Sequence, residues 1–483
     1  MTELKNKVVR GFTWSIAEKI ASALFQVFVS IKLLNRIAPA DYGVWAILIA
    51  LLAVFNAFVD SGFSQALIRK PKPTERDFSS VFYFNIAISA VVYALLVGLA
   101  YPASRLLEMP TLVALAPIIY LVVPLGALGI IQRTVMTREF SFGKLSGIGF
   151  ASTIVAGVVA IAMAEGGCGV WSLVGQRLAL SSVTTVLIWF YGRWRPRAGF
   201  SAGAIRGMFG YSSRLLATDM INNLYSKIPQ FVIGGSIDKA TLGLYDTAQK
   251  IKDMPLSATM SSMQTVTFPA LANLAGNDRK FADGVGQVVS SIAFVIYPVM
   301  VGLIAVAPDF FELFVRAEWQ RAIPFFQILC LVGLFLPITT ISHNAMKARS
   351  NGSVVVRTEV AKKVLATVIL VGTIPFGAIA IAWGQVGIAL TDMVVSFGAS
   401  RRYSGYGFGR LVRDMMPVLA LTAVMFVVVW GVGLLAGSFA LWLQLVLKIV
   451  TGVVVYFSGA ALFRLAAFAE FTQILRKIAG RAK

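Results

Sequence analysis

The chain has 483 residues, of which 58% are hydrophobic and 13% are charged, and its formal net charge is +21. Soluble proteins carry about 25% charged residues, so this composition excludes an ordinary soluble fold and indicates a membrane protein with many spans. One histidine and two distant cysteines leave zinc or thiol chemistry without a basis, and we expect neither a metal nor a cofactor.

Fourteen apolar segments follow one another along the chain, each long enough for a membrane-spanning helix. They lie at 10–34, 42–68, 80–104, 111–132, 145–164, 169–191, 207–234, 239–272, 284–308, 322–346, 358–376, 379–399, 412–436 and 440–463. The sequence therefore predicts an all-α polytopic membrane protein with about fourteen transmembrane helices. The eighth segment is too long for a straight span, and we expect Pro255 and Pro269 to kink or end it.

The first segment carries a stripe of polar residues. These residues recur every three or four positions: Ser15, Lys19, Ser22, Gln26 and Ser30. That spacing places them on one face of a helix. Because a lysine facing lipid is costly, we expect the stripe to line a bundle interior or a wet cavity.

The start of the chain recurs about 200 residues later. Gly11 is followed 32 residues later by Gly43, and Gly210 is followed 33 residues later by Gly243. The seventh segment also has a polar face, formed by Arg214, Thr218, Asn222 and Tyr225. The pattern predicts two homologous halves with a substrate site at their interface, as in many transporters.

The basic residues are distributed unequally between alternate loops. If the N-terminus is cytoplasmic, the cytoplasmic loops carry 30 of the 43 Lys and Arg residues and the opposite loops carry 5. This is the positive-inside pattern, and it predicts that both termini are cytoplasmic. The same distribution explains the positive net charge, because basic loop residues set the topology and contact anionic lipid. The charge therefore does not indicate a nucleic-acid partner.

Charged residues inside the segments mark candidate sites, because each costs about 2.5–3.5 kcal/mol at the bilayer centre. Lys32, Lys227 and Lys448 lie nearer to segment ends, where we expect their amines to reach the interface. The others either pair between helices or line a basic, hydrated cavity between the halves that receives an anion, and phosphate suits Arg and Lys. The predicted substrate-binding residues are Lys19, Gln26, Arg177, Arg214, Asn222, Tyr225 and Lys250. The candidates for binding a coupling ion are Asp60, Asp219 and Asp392.

Several stretches resemble a known family. Residues 33–43 read LLNRIAPADYG and resemble the signature after the first helix of bacterial polysaccharide transporters, the Wzx-type lipid-linked oligosaccharide flippases of the MOP superfamily. Asn35 departs from the signature, in which alanine is commoner. Further stretches fit in order and spacing: GFSQALI at 62–68, LGLY at 242–245 with Pro255, and Ala307-Pro308 followed by Trp319 and Ala322. The branch of colanic-acid, teichuronic-acid and exopolysaccharide exporters is the most similar.

The resemblance implies two six-helix lobes in a V shape, at residues 1–200 and 201–403, with helices thirteen and fourteen and a cytoplasmic tail at 404–483. It implies a non-enzymatic flippase of the bacterial inner membrane that works by alternating access. The implied cargo is an undecaprenyl-diphosphate-linked oligosaccharide, moved to the outer leaflet for exopolysaccharide, capsule or O-antigen (lipopolysaccharide) synthesis. The other implied partners are membrane lipid, a polymerase and further polysaccharide assembly proteins. No fixed set of binding residues carries over.

Two alternatives remain. A MATE-like drug/cation antiporter of the same superfamily would favour an acidic cavity, whereas Lys19, Arg177 and Arg214 make this one basic. A membrane-embedded polysaccharide polymerase or ligase would carry a large external loop, and the longest one predicted here, 309–321, is short. The sequence contains no P-loop, so we predict transport driven by an ion gradient rather than by ATP.

Overall fold

The computed structural model describes residues 21–469 except 61, 275 and 351, together with residue 472. All regular structure in this part of the chain is helical, as the sequence predicts. The chain divides into two compact units, Met1–Asp246 and Thr247–Lys483. Lys19 and the start of the first predicted segment lie outside the described residues.

The helices of the first unit occupy the first seven predicted segments, and local signals mark where several of them begin. Pro39 opens α2, a position where its missing N–H has no helical partner. Thr74 and Asp77 form a capping box at the start of α4. The helices are α1 (Ala21–Leu34), α2 (Pro39–Asp60), α3 (Phe63–Arg69), α4 (Glu75–Leu106), α5 (Thr111–Ile119), α6 (Val122–Arg138), α7 (Phe142–Glu165), α8 (Val170–Tyr191) and α9 (Ala202–Ser236).

Helix α10 (Lys239–Leu274) begins in the first unit and continues into the second. The second unit adds two 3₁₀ turns, Ala317–Ala322 before α12 and Ile374–Phe376 before α15. Its other helices are α11 (Asp278–Phe314), α12 (Ile323–Gly333), α13 (Leu336–Arg349), α14 (Gly352–Thr373), α15 (Ala378–Ser404), α16 (Phe408–Leu435) and α17 (Leu441–Leu462).

The fourth and tenth predicted segments are each broken into two helices. The first break lies between α5 and α6 at residues 120–121, and the second lies between α12 and α13 at residues 334–335. A proline occupies the first turn after each break, Pro124 in α6 and Pro337 in α13. Proline is tolerated there because the first N–H groups of a helix have no partner within it. A break at the same place in each half supports the internal repeat.

Ten helical segments of the described chain are long and apolar enough to cross a membrane. The described residues therefore belong to a multi-pass membrane protein. Among the described residues, α1, α9, α10 and α14 do not meet this criterion. The described part of α1 is short, and the other three helices carry many polar and charged residues that lower their hydropathy. The four further spans needed for fourteen stay a prediction.

Helix α10 continues through both of its prolines. It runs without interruption from Lys239 to Leu274, so the prediction that Pro255 or Pro269 could end it was wrong. Membrane helices tolerate internal proline because side-chain hydroxyls and neighbouring groups compensate the freed backbone. Thr259 places its hydroxyl in this region and donates to the Pro255 carbonyl at 2.9 Å.

The first turns of α2 and α10 cross at two glycines, all within the first unit. A Cβ atom on Gly43 would lie 1.7 Å from the carbonyl oxygen of Lys239. A Cβ atom on Gly243 would lie 1.9 Å from the carbonyl oxygen of Pro39. Only glycine permits such an approach of backbone to backbone. The two glycines that mark the sequence repeat therefore pack reciprocally, each against the start of the other's helix.

The segment between α8 and α9 is held against the start of α4. Trp194 Nε1 donates to Glu75 Oε2 at 3.0 Å, and the Ser201 N–H donates to Ser80 Oγ at 2.9 Å. Trp194 is also part of a buried cluster with Phe78 and Phe82. The segment between α8 and α9 is thus fixed to the rest of the first unit by hydrogen bonds and aromatic packing.

Lys448 forms a buried ion pair, so the prediction that its amine reaches the interface was wrong. Its Nζ lies 2.5 Å from Asp309 Oδ2, and the two side chains are 12% and 8% exposed. The aliphatic part of the lysine lies against Gly433 of α16, where a Cβ would be 2.6 Å from Lys448 Cε. Tyr456 makes a second link from α17 to α11 by donating to the Phe294 carbonyl at 2.8 Å. The last two helices are thus joined to α11.

Candidate functional site

The first unit contains a cavity of about 930 Å³ between α2, α3, α6, α7 and α8. Each helix contributes one face, because the lining residues recur every three or four positions. On α8 the lining residues are Arg177, Leu180, Ser181, Thr184, Thr185 and Ile188. On α6 they include Gly126, Gly129, Ile130, Arg133, Thr134 and Thr137.

Helices α6 and α8 are joined by a ladder of side-chain hydrogen bonds along this wall. Donors four residues apart on α8 meet carbonyl groups three residues apart on α6. The bonds run from Ser181 Oγ to the Val122 carbonyl (3.5 Å), from Thr185 Oγ1 to the Leu125 carbonyl (2.9 Å) and from Trp189 Nε1 to the Leu128 carbonyl (2.9 Å). Because both series ascend together, the two helices run parallel.

The lining of the cavity is partly apolar, and its polar groups are cationic or neutral. Arg133 and Arg177 supply guanidinium groups, and both side chains are solvent-accessible. Among the described residues that line it there is no Asp or Glu. The neutral hydrogen-bonding side chains of the lining are Asn56, Ser64, Gln65, Thr134, Thr137, Ser146, Thr153, Ser181, Thr184 and Thr185. This set suits an anion attached to a hydroxyl-rich group.

The two arginines lie at different depths. Arg177 is four residues before Ser181, whereas Arg133 is eleven residues after Val122, the hydrogen-bond partner of Ser181. At a rise of about 1.5 Å per residue, these offsets separate the two Cα positions by roughly 20 Å along the parallel helices. The two arginines are therefore anchored at well-separated levels of the cavity wall.

Arg138, one turn beyond this face, has a structural role. Its Nη1 donates to the carbonyl groups of Leu67, Ile68 and Lys70, the last at 3.0 Å. These carbonyls belong to the end of α3 and the residue after it, where a helix leaves acceptors without internal partners. The contacts fix α3 against α6 and hold one wall of the cavity in place.

Arg177 is the one predicted substrate-binding residue among the described residues that line this cavity. Gln26 on α1 and Asn222 on α9 are exposed elsewhere, and Tyr225 and Lys250 are half-buried on α9 and α10. Lys19 and the side chain of Arg214 lie outside what the structure describes. The predicted site between the halves stays a prediction.

The candidate ion-binding acids are spread over three helices. Asp219 is exposed on α9, and Asp392 is half-buried on α15. The side chain of Asp60, at the end of α2, lies outside what the structure describes. Asp219 belongs to the first unit and Asp392 to the second.

Arg133 was missed as a site residue. In the comparison of alternate loops, Arg133 was counted as a cytoplasmic-loop residue that helps to set the topology. It lies at the end of an apolar segment, near other basic residues. The signal that could have identified it is the recurrence of small and polar residues at 126, 129, 133, 134 and 137, which share one helical face.

A family model described as "Polysaccharide biosynthesis protein" matches residues 33–324 of the chain. The chain is 22% identical over 470 residues to the teichuronic acid biosynthesis protein TuaB of Bacillus subtilis (strain 168), covering 94% of this chain and 95% of that protein. It is 24% identical over 335 residues to the succinoglycan biosynthesis transport protein ExoT of Rhizobium meliloti (strain 1021), covering 69% and 68% respectively.

Among solved structures, the chain is similar to the lipid II flippase MurJ in an inward closed conformation. The TM-score is 0.77, and the match covers 94% of this chain and 98% of that one. Sequence identity is 13%, so the likeness concerns the fold. It confirms the predicted all-helical fold.

Proposed function

Because this chain belongs to the family of polysaccharide biosynthesis proteins, we propose that it is a flippase for undecaprenyl-diphosphate-linked oligosaccharide repeat units. In this proposal it moves them from the cytoplasmic to the outer leaflet of the bacterial inner membrane, where surface polysaccharide is assembled. Two relatives carry the names of a teichuronic acid biosynthesis protein and a succinoglycan transport protein, which supports a saccharide cargo.

The observation that carries the proposal is the basic cavity of the first unit. Two arginines whose Cα positions lie roughly 20 Å apart along the helices give a lipid diphosphate two successive partners. The serine, threonine and amide side chains between them offer hydrogen bonds to sugar hydroxyls without adding charge. A cavity of about 930 Å³ has room for the head group, while the prenyl chain stays in lipid.

Separated cations suit translocation better than one tight clamp. A site that bound the cargo equally well in every conformation would trap it, since only differential affinity shifts a conformational equilibrium. Arg133 and Arg177 can instead receive the diphosphate in turn as the access of the cavity changes. No bond of the cargo is made or broken in this sequence, so the proposal is transport rather than catalysis.

A drug/cation antiporter is the runner-up, and the lining of the cavity argues against it. A cationic drug in a low-dielectric cavity needs a carboxylate partner. The described lining residues supply two arginines and no carboxylate. A membrane-embedded polymerase is supported even less, because it would carry a large external loop. In the region predicted to hold the longest external loop, only Val315, Arg316 and a 3₁₀ turn (Ala317–Ala322) separate α11 from α12.

The function is tested by deleting the gene and analysing polysaccharide and lipid-linked intermediates. We expect the surface polysaccharide to disappear and its undecaprenyl-diphosphate-linked repeat unit to accumulate facing the cytoplasm. Purified protein in liposomes should move that lipid between leaflets without ATP. Normal polymer output from the deletion strain, or accumulation of finished polymer instead of the repeat unit, would contradict the proposal.

We further propose that both termini face the cytoplasm, on the basis of the 30-to-5 bias of Lys and Arg between alternate loops. This orientation places exposed Cys168, between α7 and α8, outside the cell. A membrane-impermeant maleimide should therefore label Cys168 in intact spheroplasts, while buried Cys330 stays unlabelled. The Cys168→Ser/Arg197→Cys variant should react only after permeabilisation. Labelling of that variant in intact spheroplasts would reverse the orientation.

A further inference from the structure

Three helices of the second unit meet at a cluster of titratable side chains. His343 of α13 places its Nδ1 3.3 Å from Glu359 Oε1 of α14. The same oxygen lies 2.7 Å from Lys362 Nζ, one turn further along α14. The side chain of Lys362 is 8% exposed and that of His343 is 24% exposed, so the cluster is largely withdrawn from solvent.

The contact between His343 and Glu359 is a main direct link between two helices. Helices α13 and α14 each pack mainly against α15 and touch one another little. A neutral imidazole gives Glu359 an ordinary hydrogen bond, whereas a protonated one gives a charge-assisted bond that is roughly twice as strong. The strength of this contact between α14 and α13 therefore changes with one proton. Without it, Glu359 keeps Lys362 as a partner within its own helix.

The remaining charges around the imidazole are few. Asp392 of α15 lies near enough to Glu359, Lys362 and Lys363 to interact with them electrostatically. Helix α12 and the 3₁₀ turn before α15 contain no charged residue. The three aspartates of α11 pair elsewhere: Asp278 with Arg349, Asp283 with Arg410 and Asp309 with Lys448.

The chemistry of the cluster favours a proton over a metal cation. The Lys362 ammonium already contacts the carboxylate oxygen that a metal ion would need. Imidazole, in contrast, titrates between about pH 5 and 8, where biological proton gradients act. The Nε2 atom of His343 is buried and has no hydrogen-bond partner among the described residues. It is free to make a bond in another arrangement of these helices.

We propose that His343 and Glu359 form a proton-binding site that couples a proton gradient to transport. A proton on the imidazole holds α14 against α13, and its release loosens this contact. The inference rests on the proposed function for what is transported. The prediction that Asp219 or Asp392 binds a coupling ion is unchanged. The proton is assigned to a different pair, His343 and Glu359.

The first experiment measures protonation of the His343 imidazole in the absence of substrate. Because His343 is the sole histidine of the chain, ¹⁵N-histidine labelling gives one imidazole signal for the whole protein. We expect that signal to titrate, and Glu359→Gln to weaken proton binding about tenfold by removing the adjacent negative charge. Lys362→Met should strengthen it. The control Glu165→Gln, which alters an exposed carboxylate paired with Arg36, should leave the titration unchanged.

The second experiment separates coupling from transport itself. In liposomes, an imposed pH gradient should accelerate lipid-linked oligosaccharide movement by wild-type protein, and His343→Gln should lose this acceleration while its rate without a gradient is retained. An imidazole that does not titrate, or a His343→Gln variant with the full acceleration, overturns the inference. Wild-type protein that moves no such lipid under any gradient overturns the proposed function, and the coupling role with it.

Discussion

The Arg177→Ala variant is expected to lose export of the polysaccharide while reaching the membrane in normal amounts. Arg177 lies on the α8 face of the cavity, and no carboxylate of the described lining offsets its charge. Losing a hydrogen bond to a charged group costs about 1.5–3 kcal/mol, which corresponds to a loss of roughly tenfold or more in rate. The measurement is polymer output of a deletion strain that carries the variant, normalised to the amount of protein in the membrane.

The controls for this variant come from the same chain. Arg177→Lys should restore part of the export, because the charge survives but the bidentate geometry does not. Arg36→Ala removes an arginine whose exposed partner, Glu165, lies 2.6 Å away, and it should leave export unchanged. Full export by Arg177→Ala would show that the cargo does not use this cavity. Lys19→Ala and Arg214→Ala in the same assay test the predicted site between the halves.

The second large effect is expected at the crossing of α2 and α10. In Gly43→Ala or Gly243→Ala the new Cβ would fall within 2 Å of a backbone carbonyl oxygen of the other helix, so the two turns must separate. Overpacking of rigid backbone costs about 3 kcal/mol or more. We expect a lower melting temperature and less folded protein in detergent, measured by size-exclusion chromatography after heating.

The double variant and a matched glycine distinguish this contact from a general effect of alanine. Gly43→Ala/Gly243→Ala should cost less than the sum of the two single variants, because the first substitution already separates the turns. Gly98→Ala, in α4, meets no atom within 4 Å and should leave stability unchanged or slightly raised. Single variants as stable as wild type would show that the turns do not cross this closely.

The positions of the helices could be predicted because each depends on a long local run of apolar residues. The breaks at 120–121 and 334–335 could not, since the run of apolar residues continues across each break. Lys448 was misjudged for a different reason. Its partner Asp309 is 139 residues away, and no local pattern connects them.

The candidate site was predicted in part. Arg177 was identified because an arginine inside an apolar segment is costly and therefore informative. Arg133 was not, because a basic residue at the end of a segment is also what topology requires. The pairing of His343 with Glu359 depends on how α13 and α14 lie against α15, which the sequence alone does not specify.

The ion pair between Asp309 and Lys448 constrains the order of events during biosynthesis. Asp309 leaves the ribosome 139 residues before its partner, which at 5–20 residues per second is roughly 7–30 s. During that interval the Asp309 carboxylate of α11 lacks its ion-pair partner. The nascent chain can thus complete the burial of this carboxylate only when α17 has been made. A chain that stops before residue 441 keeps Asp309 without Lys448.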